Sequence, residues 1–140
     1  MTHREKIYAA HHRAFGVGWS NNHTLKTMAE VADCVGITCD FVCVNPQLEE
    51  SECWWERYDW WEPWLPKVFI HSDERQTPWI IHELAHVLQG PYDRREHSRR
   101  WVACLLILVR RLNRALGCSQ GFAKRVRAEF VPLVPKTLSK

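Results

Sequence analysis

The chain has 140 residues, of which 25% are charged, and its formal net charge is +3. This length suits one domain with its own hydrophobic core, so folding does not require disulfides or a structural metal ion. No apolar run approaches the length of a membrane span, and residues 1–6 lack the apolar core of a secretory signal. These features predict a soluble, cytoplasmic protein without a membrane partner.

The charge is divided unevenly along the chain. Residues 1–90 contain 7 Lys and Arg against 13 Asp and Glu, a balance of −6, whereas residues 91–140 contain 12 against 3, a balance of +9. A basic segment of this kind commonly contacts nucleic acid or another polyanion, and we expect DNA as a candidate partner. A solvated helix surface and docking on the acidic half of the chain are the alternatives. The candidate contact residues nearest the motif described below are Arg94, Arg95, Arg99 and Arg100.

The six cysteines do not form a C-x-x-C pair, so their spacing indicates neither a zinc ribbon nor a thioredoxin-like motif. We expect reduced, mostly buried thiols. Cys39 and Cys43 would share one face of a strand, so a secreted form with a disulfide is the alternative.

Two helices and a strand are predicted in the first third of the chain. Apolar residues at helical spacing predict helices over about residues 5–15 and 25–35, the second ended by Gly36. Residues 37–44 are rich in β-branched and aromatic types and predict a strand. Three histidines lack a companion at ligand spacing, and solvated or hydrogen-bonded roles are expected for them: His11, His12 and His23.

Residues 47–65 combine five tryptophans with six acidic residues. We expect this segment, in a form such as a hairpin, to pack over a catalytic cleft; the alternative is that its rings enlarge a small core. Residues 66–71 predict a strand that leads into the next helix. As an edge strand, it would bind an extended peptide by strand addition, and His71 at its end is a candidate auxiliary donor.

Residues 82–86 read H-E-L-A-H, the H-E-x-x-H pattern of zinc hydrolases. Histidines four apart on a helix lie one turn above each other, so both imidazoles can reach one metal ion while Glu83 points to the open side. Thr77 as N-cap, Pro78 at the first helical position and a Gly90-Pro91 stop predict a helix over about residues 78–89. The alternative is a pair of histidines that bind no metal.

A third ligand is expected from the next helix, which is predicted to extend to about Leu116. Asp93 and Glu96 have the spacing of a capping box at its start. His97 lies four residues before Trp101 and so begins the buried stripe of this helix. A catalytic zinc site uses three protein ligands and one open position, and His97 is the predicted third ligand.

Three carboxylates compete with His97 for this role. Asp93 and Glu96 are occupied if the capping box forms, and Glu129 has no pattern partner. Glu129 lies in a further predicted helix, over about residues 121–130, and residues 131–140 predict an extended basic tail.

The H-E-L-A-H motif, followed after a short connection by His97-Ser98-x-x-Trp101 at the start of an apolar helix, resembles the SprT-like zinc metallopeptidases. The similarity covers about residues 69–116, and Ser98 stands where the family usually has Gly. The chain is similar in size to small phage- or prophage-type members without a zinc ribbon. The resemblance implies a single α+β, zincin-like domain over residues 1–140, in which a small sheet packs on the motif helix and a long C-terminal helix.

The same resemblance implies a zinc metalloendopeptidase that acts on proteins, including DNA-associated ones, in the cytoplasm of a host cell. One catalytic Zn²⁺ would be held by His82, His86 and His97, with Glu83 as the general base. Tyr92 and His71 are candidate donors to the oxyanion. Two other hypotheses are a binding module that uses the metal as a structural cross-link and a nucleic-acid-binding protein with incidental histidines.

Overall fold

The predicted α+β class is confirmed by a computed structural model, which is mostly helical. The structure describes residues 2–18, 28–38, 40–43, 52–70, 77–93, 96–116 and 120–134. In chain order the elements are α1 (His3–Gly18), α2 (Met28–Val35), β1 (Asp40–Cys43), β2 (Glu52–Glu56), β3 (Leu65–Ile70), α3 (Thr77–Gln89), α4 (Arg99–Leu116), α5 (Gln120–Phe130) and a 3-10 turn (Val131–Leu133). All predicted helices and strands are present in the order that the sequence indicates.

The three strands form one mixed sheet in the order β1-β3-β2. β1 pairs with β3 in parallel, and β2 pairs with β3 antiparallel, so that Glu52 is opposite Phe69 and Glu56 is opposite Leu65. β2 and β3 form a hairpin, but its second strand lies at Leu65–Ile70, almost entirely beyond the segment 47–65 in which a hairpin was expected. The prediction that residues 66–71 form an edge strand is wrong, because β3 has a hydrogen-bonded neighbour on each side. Among the described strands, β1 and β2 form the edges.

The motif helix α3 packs on the sheet and on the long helix α4. Helix α2 contacts both α3 and α4, and α1 packs against α5, which also contacts α4. In the part of the chain that the structure describes, no helix has both the length and the apolarity needed to cross a bilayer. The predicted stripe on α4 is buried, as expected for helix-on-helix packing. The largest fully buried side chains are Trp101, Phe130, Ile7, Ile81, Leu84, Leu105, Leu108, Leu112, His11 and His82.

The predicted C-terminal stop of α3 is confirmed. Gly90 has a φ of 94°, a left-handed conformation that favours glycine, and its N–H donates to the carbonyl oxygens of His86 and Val87. The helix therefore ends before Pro91, and its last turn places His86 at the mouth of the cleft described below.

The predicted capping box at the start of α4 is wrong. The helix begins at Arg99, and Ser98 is its N-cap: the backbone N–H of Trp101 donates to Ser98 Oγ over 3.4 Å. Asp93 instead accepts a hydrogen bond from Ser98 Oγ at 2.9 Å. Glu96 forms an ion pair with Arg4 at 3.3 Å. Ser98 thus caps α4 and joins its start to Asp93.

His97 precedes the N-cap and lies outside the helix, which corrects its predicted place in the helical stripe. Its φ is 51°, a left-handed conformation that costs a non-glycine residue about 1–2 kcal/mol. The carbonyl oxygen of His97 accepts a hydrogen bond from His3 Nε2 at 2.9 Å, which fixes the turn from the side of α1. The turn, rather than helical spacing, directs the His97 ring to the motif helix.

The prediction of an extended tail is wrong for its first residues. Val131–Leu133 form a 3-10 turn with Pro132 in its first positions, and Leu133 and Val134 pack against the core. Residues 135–140 lie outside the described residues.

Three cysteines of the described residues are free thiols, in agreement with the expected reduced state. Cys104 is buried, Cys34 and Cys53 are half-buried, and burial raises the pKa of the Cys34 and Cys104 thiols. Cys39 lies outside the described residues, and so does the alternative disulfide with Cys43.

Candidate metal centre

The three predicted ligand histidines come together in the fold. His82, His86 and His97 each offer one ring nitrogen, and these atoms all lie within 4.8 Å of one another. His82 Nε2 and His97 Nε2 are 3.0 Å apart. Two nitrogens bound to one tetrahedral zinc at about 2.0–2.1 Å would be separated by about 3.4 Å, so a small outward movement suffices to admit an ion. This triad can hold a metal ion.

A buried polar network orients His86. Its Nδ1–H donates to Gln89 Oε1 over 3.3 Å, which leaves Nε2 as the ligand atom. Gln89 Nε2 donates to Asp93 Oδ2 at 3.0 Å and to Ser98 Oγ at 3.1 Å. Gln89 and Ser98 are almost fully buried. Because this network joins the end of α3 to the start of α4, it holds the two elements that supply the ligands in a fixed relation.

The Trp101 ring packs against all three histidines of the triad. Its ring centre lies 4.8 Å from that of His82, 5.5 Å from that of His86 and 4.6 Å from that of His97. The Trp101 indole N–H donates to the backbone carbonyl oxygen of His82 over 3.4 Å. The indole is fully buried, so it excludes water from one side of the histidines and restricts the rotation of their rings.

Burial keeps the triad in its neutral form. It lowers the pKa of His86 to about 4 and that of His97 to about 2, and it lowers the pKa of His82 well below its ordinary value. The neighbouring imidazoles lower the pKa of His82 and His97 further. Neutral imidazole is the form that binds a metal ion, so the fold prepares these ligands for binding near neutral pH.

Glu83, the predicted general base, is only 4% exposed. Burial raises the pKa of the Tyr8 hydroxyl, and the negative charge of Glu83 acts in the same direction. Glu83 also favours the charged form of Arg4. Its carboxylate is therefore electrostatically coupled to the first turns of α1.

Helix α1 contributes side chains to this site that sequence reasoning missed. Arg4, Tyr8 and His11 follow one another at steps of four and three residues and so share a face of the helix. The Tyr8 ring stacks on His82 with centres 5.6 Å apart and lies edge-on to His97 at 5.9 Å. The spacing of these residues was visible, but only the tertiary packing of α1 shows which surface they meet.

A cleft of about 690 Å³ opens beside His86. The hairpin forms one wall of this cleft through Trp54, Trp55 and Trp64, while Arg4 and Tyr8 of α1 lie on another side. Trp54 is 52% exposed, and its indole N–H donates to Glu52. Three of the five tryptophans of residues 47–65 therefore line this cleft, whereas Trp60 and Trp61 are exposed and do not line it. Residues 47–51 lie outside the described residues.

The other sequence-predicted candidates are placed as follows. Tyr92 is 82% exposed and does not line the cleft, so the structure does not bring this hydroxyl to the histidines. His71 lies outside the described residues. Of the competing carboxylates, Asp93 and Glu96 have the partners given above, and Glu129 forms an ion pair with Arg13 at 2.7 Å.

The basic residues of α4 occupy its solvent side. Arg99, Arg100, Arg110 and Arg114 are exposed. Arg111 donates to the carbonyl oxygen of Val35 at 2.9 Å and thereby links α4 to the end of α2. Arg94 and Arg95 lie outside the described residues.

Comparison with known proteins gives no relative: neither a family model, nor a curated protein, nor a solved structure matches the chain. The geometry of the histidines and of their surroundings is therefore the basis for a function.

Proposed function

We propose that this chain is a zinc-dependent metallopeptidase of the zincin type, related to the SprT-like enzymes. The observation that carries the proposal is the convergence of His82, His86 and His97 beside an open cleft. Three imidazoles suit zinc among the common divalent ions, and three protein ligands leave a coordination position for water, as a catalytic site needs. A closed structural site would use four protein ligands.

A zinc ion held by His82, His86 and His97 would supply the Lewis acidity that makes water nucleophilic near neutral pH and polarises a scissile carbonyl. A carboxylate oxygen of Glu83 takes a proton from the attacking water and delivers it to the leaving amine nitrogen. Gln89 and Trp101 keep the ligand rings in position through the contacts described above. Trp54, Trp55 and Trp64 offer apolar surface to the substrate side chains in the cleft.

Tyr8 is the proposed oxyanion donor, in place of Tyr92 and His71. The Arg4 guanidinium donates a hydrogen bond to the Tyr8 hydroxyl, which lowers its pKa, but burial has the larger effect and the net pKa is raised. The phenol therefore keeps its proton at neutral pH and can donate it in a hydrogen bond. Its position on the cleft, with its ring against two ligand histidines, suits a developing negative charge on the carbonyl oxygen.

Tyr8→Phe is expected to lower kcat for peptide cleavage by about 10²-fold, the usual effect of removing one oxyanion donor. KM and zinc content should change little, because the ring and its packing remain. Tyr92→Phe is the matched control and should leave kcat unchanged. Steady-state kinetics on a fluorogenic peptide would measure both variants, and a loss confined to Tyr92→Phe would assign the donor to Tyr92.

DNA-associated proteins are the proposed substrate class. The exposed arginines on α4 and the balance of +9 in residues 91–140 support contact with a polyanion. DNA would then hold the enzyme and a DNA-bound protein near each other and raise the effective concentration of the substrate.

The purified chain is expected to contain one zinc ion per molecule and to cleave casein or histone until a chelator removes the ion. Cleavage should return when zinc is added back, and His86→Ala should lose both zinc and activity. DNA should accelerate histone cleavage, and the acceleration should fall as salt is raised. Substoichiometric zinc that His86→Ala leaves unaffected would contradict the proposed function.

A further inference from the structure

His11 is an unusual residue in this fold because it is buried without a polar partner. The side chain is 2% exposed, and among the described residues neither ring nitrogen has a hydrogen-bond partner. Two unpaired polar atoms in one buried ring destabilise a fold by about 1–3 kcal/mol each unless a water or another group satisfies them. Sequence spacing indicated only a solvated or hydrogen-bonded role.

The ring is held firmly in place. It stacks on Trp79 with ring centres 3.8 Å apart and planes at 25°, and it contacts Phe15 at 4.6 Å. Its centre lies 5.5 Å from that of His82, with the two planes at 73°, so the edge of one ring faces the other. Burial lowers the pKa of His11 to about 3, and the neutral ring has one nitrogen that can accept a hydrogen bond.

Among the described residues, His82 also has a buried ring nitrogen without a hydrogen-bond partner. Its Nε2 faces His97 Nε2 and is the ligand atom, so Nδ1 carries the proton in the metal-bound form. A ligand histidine almost always donates this second N–H to an acceptor, which fixes the tautomer and the ring orientation. For His86 the acceptor is Gln89. For His82, the described part of the chain offers Nδ1 no hydrogen-bond partner.

We propose that His11 is the positioning residue for His82: a nitrogen of His11 accepts the Nδ1–H of His82, directly after a small ring rotation or through one enclosed water. Both groups are buried and unpaired and their rings are in contact, so one hydrogen bond satisfies His82 Nδ1 and one of the two nitrogens of His11. Helix α1 thereby becomes part of the metal centre. The inference rests on the metal site of the proposed function and is independent of peptide cleavage.

The test is zinc affinity, measured at pH 7.5 by competition with a chromophoric chelator. His11→Phe and His11→Met fill the space without an equivalent acceptor and should raise the Kd for zinc by about 10–100-fold. His11→Gln keeps an acceptor and should bind within a few-fold of wild type. His12→Phe, at the exposed neighbouring position, is the control and should bind like wild type.

A second measurement distinguishes loss of the hydrogen bond to His82 from a change in the packing around residue 11. In the zinc-loaded protein, the Nδ1–H proton of His82 should exchange slowly with water in wild type and in His11→Gln, and rapidly in His11→Phe and His11→Met. Wild-type affinity and slow exchange in the apolar variants would overturn the proposal. A wild-type chain that binds no zinc would instead overturn the proposed function, so the two failures are distinguishable.

Discussion

Glu83→Gln is expected to reduce peptide cleavage by about 10²–10⁴-fold, the contribution of a positioned general base. The amide is nearly the same size as the carboxylate but cannot take a proton from water. Zinc content should stay at the wild-type level, because Glu83 is not one of the three converging ligands. Single-turnover cleavage of casein or of a fluorogenic peptide, together with metal analysis of the same sample, measures both quantities.

Glu129→Gln is the matched control for this variant. It makes the same acid-to-amide change on α5, where the side chain pairs with Arg13 outside the cleft, and it should cleave like wild type.

The Glu83→Gln experiment also distinguishes a peptidase from a binding module. If wild type and Glu83→Gln both bind zinc and neither cleaves, the site is a structural cross-link in a binding module, and the peptidase hypothesis is wrong.

The metal-free protein is expected to lose most of its stability between pH 7.5 and pH 5. His11, His82, His86 and His97 have lowered pKa values in the fold, whereas in the unfolded chain they take up protons near pH 6.5. Their contribution to the free energy of unfolding is therefore fully present above about pH 6.5 and is lost as the pH falls below it. His11, His86 and His97 should each lower the free energy of unfolding by about 2 kcal/mol over this range, which is about 6 kcal/mol for the three, and His82 acts in the same direction.

A loss of that size is comparable to the whole stability of a typical domain, so unfolding in mild acid is the expected outcome. Urea unfolding followed by circular dichroism in EDTA, at pH 7.5, 6.0 and 5.0, measures the free energy directly. His11→Phe removes one of the four groups, and its stability should fall less steeply with pH. A free energy that stays constant down to pH 5 would show that these rings are not neutral and buried as the structure has them.

Local signals in the sequence predicted much of the motif helix and its ligands. The histidine spacing of four and the Gly90 stop depend only on helix geometry and backbone conformation, so neighbouring residues contain the necessary information. His97 was identified correctly as the third converging residue, but for an incomplete reason. The prediction relied on helical spacing to Trp101, whereas a left-handed turn before the helix directs the ring.

The missed features depend on tertiary packing. Nothing near Tyr8 or His11 in the sequence indicates that α1 packs against a helix some 70 residues later. The capping box failed because Ser98 is a competing N-cap and because Asp93, in the connection between α3 and α4, accepts hydrogen bonds from Gln89 and Ser98 instead. The edge-strand prediction failed because strand order is a property of the whole sheet: β1 and β2 both precede β3 in the chain and pair with its opposite edges.

The hydrogen bond from His3 to the carbonyl oxygen of His97 joins residues 94 positions apart. Closing so large a loop is entropically unfavourable until the intervening elements have packed. During synthesis the hydrogen bond from the first helix to the turn at His97 can therefore form only after about two thirds of the chain has been made. A fragment containing only the H-E-L-A-H helix would present two of the three histidines without the residues that surround them. Tight metal binding should therefore require the complete fold, and it can serve as a measure of correct folding.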